Sequence, residues 1–196
     1  LPGCGGSIPK GDPVTQRLTL LAALLALAAC NAQNAGPPSP VSMTEEALGH
    51  YCQMNLLEHP GPKAQVHLSG ISEPLFFSQV RDAIAYQRMP EQSHAITAIY
   101  VSDMAAAPSW EFPGADNWIE ADSAVYVVGA TLVGGMGAPE LVPFSSRETA
   151  QAFIAEHGGT PVTLEAVPDA MVLAPVEFEM DEDGNFLAPE GHAQSH

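Results

Sequence analysis

Residues 50–59, HYCQMNLLEH, combine a cysteine with a methionine two residues later and place a histidine at each end. Thiolate and thioether are soft donors, and among biological metals they favour Cu(I), which accepts two or three ligands. In an extended segment, Cys52 and Met54 would project to the same side and could reach one ion. Zinc normally takes four ligands from Cys, His and carboxylate side chains, so the methionine favours copper. The pair therefore predicts a Cu(I) site, although so short a pattern also fits a buried cysteine beside a packing methionine.

Other candidate donors flank this pair or lie farther along the chain. Met136 lies in GGMGAPE, where three glycines leave the backbone free to approach another group closely. His50 would face the same side as Cys52 in an extended segment, whereas His59 requires the chain to turn back. Met104 follows a β-rich run and could extend from a loop. The two methionines also fit ordinary packing positions and the two histidines also fit the surface, so all four remain candidates.

The N-terminal region has the pattern of a secretory signal. Arg17 precedes the uncharged run LTLLAALLALAA, which ends in Leu-Ala-Ala-Cys at Cys30. A basic flank, a short apolar run and small residues before the break are typical of cleaved signals, and the run is too short to span a bilayer. The ending resembles a bacterial lipobox, which implies cleavage before Cys30 and acylation of its thiol. We predict a precursor segment over 1–29 and a lipidated N-terminus with a flexible tether over 30–43.

Processing at this position would leave one thiol in the mature chain. Cys4 would be removed with the precursor segment and Cys30 would be acylated, so only Cys52 would remain. An unpaired thiol in an oxidising compartment is open to oxidation, so its presence needs a reason. Metal binding supplies such a reason, and a buried inert cysteine is the alternative.

Composition limits the classes of partner. The 196 residues include six Lys and Arg against 23 Asp and Glu, a formal net charge of −17, and 46% are hydrophobic. This hydrophobic content is enough for a folded core, whereas the negative charge repels phosphate backbones and argues against nucleic acid as a partner. The sequence has no G-x-S-x-G, H-E-x-x-H, phosphate-binding glycine loop or C-x-x-C pattern. We therefore expect a binding protein and not an enzyme.

Local patterns in the first half predict two strands and a helix that could position these donors. Residues 64–70 alternate like a strand and end at a glycine. Residues 76–89 have apolar side chains at helical spacing and stop before Pro90. Residues 95–103 form a β-rich run that is apolar enough for a central strand.

The second half repeats this order. Strands are predicted in AVYVVGATLVGG, APELVPFS and TPVTLEAV, around a helix with a Ser145-x-x-Glu148 capping box and a stop at Gly158. Phe77-Ser78 recurs 67 residues later as Phe144-Ser145. These patterns predict an α+β fold of two small tandem strand-strand-helix-strand lobes. The predicted bounds are 44–175 for the domain, about 44–105 and 106–175 for its lobes, and 176–196 for an acidic, disordered tail.

Several longer sequence motifs add to the evidence from the Cys–Met pair. Read in order, HYCQMNLLEHPGPKAQVHL, AIYVSDM, WIEADSAVYVVGA and GGMGAPELVPFS resemble the NosL family of lipoprotein accessory factors for nitrous oxide reductase. The resemblance covers about residues 50–159 and includes the lipobox. It implies Cys52, Met54 and Met136 as copper ligands, and two lobes similar to the topology of the organomercurial lyase (MerB-like). The family word is usually C-G-M, whereas Gln53 stands in the middle position here.

The resemblance also implies a setting for the protein. It implies a periplasm-facing chaperone, lipid-anchored to a bacterial membrane, that supplies Cu(I) for the copper–sulfide centre of nitrous oxide reductase beside an ABC-type maturation complex. Asn31 after the acylated cysteine is not an inner-membrane aspartate signal, which favours the outer membrane. Two alternatives stay open at this point. One is a metal-free scaffolding lipoprotein, and the other is an enzyme of the organomercurial-lyase type, whose chemistry needs more than one thiol.

Overall fold

The computed structural model describes residues 36–90, 92–175 and 182. The predicted precursor segment, the lipidation position Cys30 and the acidic tail apart from Glu182 lie outside these residues. All elements below belong to the compact unit that begins at Pro38. Of the helices in the described ranges, none has the length and apolar character needed to cross a bilayer.

The first part of the fold is a four-stranded antiparallel sheet with one helix. Strand β1 lies in the interior of the sheet, which has the order β2-β1-β3-β4. All five residues of β1 are buried, so the alternation seen in its sequence does not separate a core face from a solvent face. The elements are β1 Ala64–Leu68, β2 Leu75–Phe77, α1 Val80–Arg88, β3 Ile96–Ser102 and β4 Trp118–Glu120.

The second part is a three-stranded antiparallel sheet with two helices. Strand β5 lies at the centre of the order β6-β5-β7. The elements are β5 Val125–Val128, β6 Val142–Phe144, α2 Arg147–His157, β7 Thr160–Val162 and α3 Asp169–Leu173. Short 3-10 helices cover Leu56–Glu58, Ala121–Ser123 and Leu164–Ala166.

The predicted repeat is present in the topology. Each part contains a central strand, a hairpin partner, a helix and a third strand on the other side, so β2-β1-β3 corresponds to β6-β5-β7. Phe77 and Phe144 end corresponding strands, and Ala83 and Ala150, also 67 residues apart, are both fully buried on the following helices. The α+β prediction is therefore confirmed. The similarity to the organomercurial lyase topology stays a prediction.

The two repeats share one main core. Its buried side chains include Val66 and Ile84 from the first repeat and Tyr126 and Leu141 from the second. Strand β4 lies beyond residue 105 in sequence and pairs with β3 in the first sheet. Because removal of a buried aliphatic side chain typically costs about 2–5 kcal/mol, a shared core couples the stability of both repeats.

Two predicted helix starts were wrong. Residues 75–77 pair with β1, which moves the start of α1 from Phe76 to Val80. The N-cap of α2 is Ser146, whose hydroxyl accepts from the Thr149 N–H at 3.2 Å, so the Ser145 capping box is not formed. The predicted stop at Gly158 is confirmed, because this residue adopts a φ of 71° and its N–H donates to the Ile154 carbonyl.

Candidate metal centre

The segment that carries the cysteine is a closed turn and not the extended segment that the sequence predicted. The Gly49 N–H donates to the Met54 carbonyl at 3.0 Å, and the Gln53 N–H donates back to the Gly49 carbonyl at 2.8 Å. Gln53 adopts a φ of 56°, in the left-handed region that favours glycine. Its side-chain amide donates to the carbonyls of Gly49 and His50, which ties the non-glycine residue into the turn.

The turn directs the Cys52 thiol toward the first sheet. Its Sγ lies 3.6 Å from the Ser78 Oγ, and the cysteine is half-buried and free. A Cβ added at Gly49 would lie 2.4 Å from this sulfur, so a glycine is required for the thiol to pack here. Met54 is 40% exposed. The thiol is therefore fixed against protein, whereas the neighbouring thioether is accessible from solvent.

The Gly-Gly-Met sequence forms the tip of the β5–β6 connection. A turn is closed by the Gly134 N–H, which donates to the Ala138 carbonyl at 2.8 Å. A Cβ added at Gly135 would lie 2.8 Å from the His59 Cβ and 2.9 Å from the Pro60 carbonyl oxygen. Only glycine permits this close approach of the two backbones. The loop is thereby packed against the segment that follows the cysteine turn.

Met136 is held by its backbone. Its N–H donates to the Gln79 Oε1 at 2.9 Å, and the residue is 37% exposed. Gln79 directly follows Ser78, the neighbour of the Cys52 sulfur. Two consecutive residues between β2 and α1 therefore contact the thiol on one side and the methionine loop on the other. The cysteine turn and the methionine loop are thus both attached to the segment between β2 and α1.

The remaining candidates have different surroundings. His59 is half-buried beside Gly135, so it lies against the methionine loop. The His50 ring packs among aromatic rings, with its centroid 5.5 Å from that of Phe77 and 5.7 Å from that of Tyr86. Met104 packs in the second hydrophobic cluster, with residues of β5, β6 and α2. The structure thus groups His59 with the Cys–Met region more directly than it groups Met104.

Two buried charged side chains adjoin the candidate site. Lys63 is fully buried, and its ammonium donates to the Pro60 carbonyl at 2.9 Å. Burial lowers the pKa of Lys63 to about 8, while the negative charges of Glu140 and of a Cys52 thiolate act in the opposite direction.

Glu140 connects the methionine loop to α1. Its carboxyl oxygens accept from the N–H groups of Val80 at 3.2 Å, Arg81 at 3.0 Å and Leu141 at 2.8 Å. Burial raises the pKa of Glu140 to about 8, against the opposing effect of these hydrogen bonds and of Lys63. The carboxyl thus satisfies the first amides of α1 from a different repeat.

Sequence reasoning had assigned no role to Ser78, Gln79, Lys63 and Glu140. The repeated Phe-Ser pair marked Ser78, but its reach to the thiol depends on a fold that no local pattern encodes. Within the described residues, no three His, Cys, Asp or Glu side chains converge on a point that could hold a metal ion. A site at Cys52 within this part of the chain would therefore draw on thioethers, which fit a soft, low-coordinate ion such as Cu(I).

Together these observations define a two-repeat α+β protein in which a turn with a free thiol and a methionine loop both contact the residues before one helix. The chain belongs to the NosL family, whose model matches residues 40–172. It is 61% identical over 163 residues to the copper-binding lipoprotein NosL of Achromobacter cycloclastes, covering 82% of this chain and 84% of that protein. It is 34% identical over 159 residues to the copper-binding lipoprotein NosL of Stutzerimonas stutzeri, covering 79% and 81%.

A solved structure supports the same assignment. The crystal structure of the copper chaperone NosL from Shewanella denitrificans superposes with a TM-score of 0.63 at 30% sequence identity. The match covers 68% of this chain and 99% of that chain. The two-repeat fold described above is therefore a fold found in this family.

Proposed function

We propose that this protein binds Cu(I) through Cys52, Met54 and Met136 and delivers it as a copper chaperone. The observation that carries the proposal is the junction at Ser78 and Gln79, which neighbours the thiol on one side and holds the methionine loop on the other. The printed names of the relatives, copper-binding lipoprotein and copper chaperone, support the choice of metal. Cys and Met donors favour the Cu(I) oxidation state.

The exposure of the donors fits a protein that must release its cargo. Cys52 is half-buried, whereas Met54 and Met136 are each more than a third exposed. Cu(I) is stable with two or three ligands, so a thiol or imidazole of a partner can add before a thioether leaves. Transfer by ligand exchange then needs no fully dissociated ion. His59, beside the methionine loop, is a further candidate for the third donor.

Titration of the reduced protein with Cu(I), in competition with a chromophoric chelator, tests the binding step. Wild-type protein should bind one equivalent tightly, and Cys52→Ala should lose this binding. Met136→Leu should weaken binding at least about tenfold, equivalent to about 1.4 kcal/mol. Met171→Leu is the matched control, because Met171 is a half-buried methionine on α3 and is not among the candidate donors. Unchanged one-to-one binding by Cys52→Ala would rule out the proposed ligand set.

We extend the proposal to delivery of Cu(I) for the copper–sulfide centre of nitrous oxide reductase, with an ABC-type maturation complex as partner. Copper content of the reductase in cells that carry Cys52→Ser tests this step. Full metallation in these cells would instead support the metal-free scaffolding role. The expected copper-deficient reductase, at normal levels of this protein, would support delivery.

The proposed location is the periplasmic face of a bacterial membrane, with the outer membrane favoured. Acylation at Cys30 would supply the anchor, and a single lipidated residue with several chains can hold a protein at a bilayer. Cys30→Ala should release the protein from membrane fractions, and density separation of the two membranes should place the wild type. Recovery of the wild type in soluble fractions would contradict anchoring.

We also propose that the protein does not catalyse a reaction. The relatives are named for copper binding and chaperoning. Cleavage of a carbon–mercury bond is the reaction to exclude, because a similar topology was predicted for the organomercurial lyase. Within the described residues, Cys52 is the only thiol, whereas cleavage of a carbon–mercury bond needs more than one. Release of Hg(II) from an organomercurial, abolished in Cys52→Ala, would overturn the proposal.

A further inference from the structure

Gln79 is a fully buried amide with an incomplete set of hydrogen bonds. Its Oε1 accepts from the Met136 N–H at 2.9 Å, whereas its Nε2 has no hydrogen-bond partner among the described residues. A buried donor without a partner is a cost that an apolar side chain of similar size would not incur. Stability alone therefore does not explain an amide at this position.

The position of Gln79 in the fold makes the amide more unusual. Gln79 is the N-cap residue of α1, yet its side chain makes no cap hydrogen bond. The carboxyl of Glu140 instead accepts from the first two amides of the helix. At the corresponding position of the second repeat, Ser146 caps α2 with its own hydroxyl. The side chain of Gln79 therefore does not cap its own helix and instead bonds the backbone of Met136.

The space around the amide is preserved by a glycine of the same loop. A Cβ added at Gly134 would lie 2.8 Å from the Gln79 Nε2 and 2.7 Å from the Glu140 Oε2. Gln79 and Glu140 therefore both lie against the backbone at Gly134. Together they hold the loop at Met136 and at the residues that follow it.

We propose that Gln79 is a positioning residue for the copper site, acting through Met136. Its Oε1 fixes the backbone of Met136, and the preceding residue, Ser78, contacts the Cys52 sulfur. The fixed backbone would hold the Met136 thioether ready to bind the same Cu(I) ion as Cys52. This inference rests on the proposed Cu(I)-binding function. A thioether is a neutral, weak donor on a flexible side chain, so its contribution depends strongly on how well its backbone is fixed. Loss of such an outer-shell partner typically weakens metal binding about 10- to 100-fold.

X-ray absorption of the Cu(I)-loaded, selenomethionine-labelled full chain separates the donors. In a Met54→Leu background, a copper–selenium distance reports Met136, and a copper–sulfur distance reports Cys52. Gln79→Leu should remove the copper–selenium signal, keep the copper–sulfur signal and weaken Cu(I) binding about tenfold or more. Gln65→Leu is the matched control, because Gln65 is equally buried and bonds the backbone of Val41. This control should keep both signals.

A second variant and a measurement without metal keep the test independent of folding defects. Gln79→Asn retains an amide but shortens its reach to Met136, and it should reproduce the loss of the copper–selenium signal. In the metal-free protein, either variant should accelerate hydrogen exchange of the Met136 amide. Unchanged copper–selenium signal and affinity in both variants would overturn the positioning role. Absence of copper–selenium in the Met54→Leu parent would overturn it too and would remove Met136 from the ligand set, whereas Cys52-dependent Cu(I) binding would still support copper binding by the protein.

Discussion

Replacing Glu140 by glutamine should flatten the pH dependence of stability. The carboxyl is buried, and burial raises its pKa from 4.5 to about 8. Because the folded-state pKa lies above the unfolded value, the contribution of this group is fully present below about pH 4.5 and is lost as the pH rises through about 8. Glutamine imitates the protonated carboxyl but does not titrate, so this loss should disappear.

The magnitude follows from the gap between the two pKa values. One pH unit of this gap corresponds to about 1.4 kcal/mol, so a gap from 4.5 to about 8 gives an upper bound of about 5 kcal/mol. We expect at least about 2 kcal/mol of it to be measurable. Arg81 and Leu141 both donate to Oε1, which glutamine retains, whereas the Val80 N–H at Oε2 loses its acceptor. That loss adds a pH-independent offset of about 1–3 kcal/mol.

Urea unfolding gives the free energy of unfolding of both proteins at about pH 5 and about pH 8. The effect is the change between the two pH values in the wild type minus the same change in Glu140→Gln. Groups that do not interact with Glu140 titrate alike in both proteins and cancel, whereas the effect of Glu140 on Lys63 and Asp82 is part of the measured difference. Burial raises the pKa of Asp82, which contributes a loss of the same sign, and burial lowers the pKa of His67, which contributes a gain as the pH rises. Equal pH dependence in wild type and Glu140→Gln would refute the reasoning. A wild type that instead gains stability relative to the variant would show that Lys63 and the three amides outweigh burial.

Three further substitutions test local features by urea unfolding. Ser146→Ala should cost about 1 kcal/mol through loss of the α2 cap, whereas Ser145→Ala should stay within about 0.5 kcal/mol; equal costs would contradict the assigned cap. Gln53→Gly should stay within about 1 kcal/mol of wild type, because relief at positive φ offsets the lost amide bonds, whereas Gln53→Val should be clearly less stable. A valine variant as stable as the glycine variant would exclude the left-handed turn. Gly135→Ala should cost about 1–3 kcal/mol by overpacking against His59 and should weaken Cu(I) binding, and a silent substitution would contradict the close approach.

The elements that the sequence predicted correctly are those with a local cause. The β-rich run of β3 depends on neighbouring residues, and Gly158 ends α2 through its own backbone freedom. The start of α1 was placed too early because residues 75–77 pair with β1, which no helical pattern reveals. Competition between a hairpin and a helix is decided by tertiary pairing.

The candidate site also has residues that the sequence predicted and features that it did not. Cys52 and the methionines were recognisable by chemistry and by family words, but the segment around Cys52 was predicted as extended. Its turn depends on Gln53 at positive φ, a conformation that glutamine rarely adopts and that its own side chain stabilises here. Lys63 and Glu140 gave no usable signal, because their burial and mutual interaction arise from residues distant in sequence.

The two repeats differ at the places where the candidate site is built. Phe77 pairs with Ala64, thirteen residues earlier, whereas Phe144 pairs with Val125, nineteen residues earlier, so the second hairpin holds six more residues. Those extra residues accommodate the Met136 loop and, just beyond it, the carboxyl that caps α1 in the other repeat. The first repeat in turn supplies an amide to that loop in place of a cap of its own. Each departure is compensated only by the other, so neither repeat alone could hold the thiol of Cys52 together with the thioether of Met136, and an isolated repeat should bind Cu(I) less tightly than the whole protein.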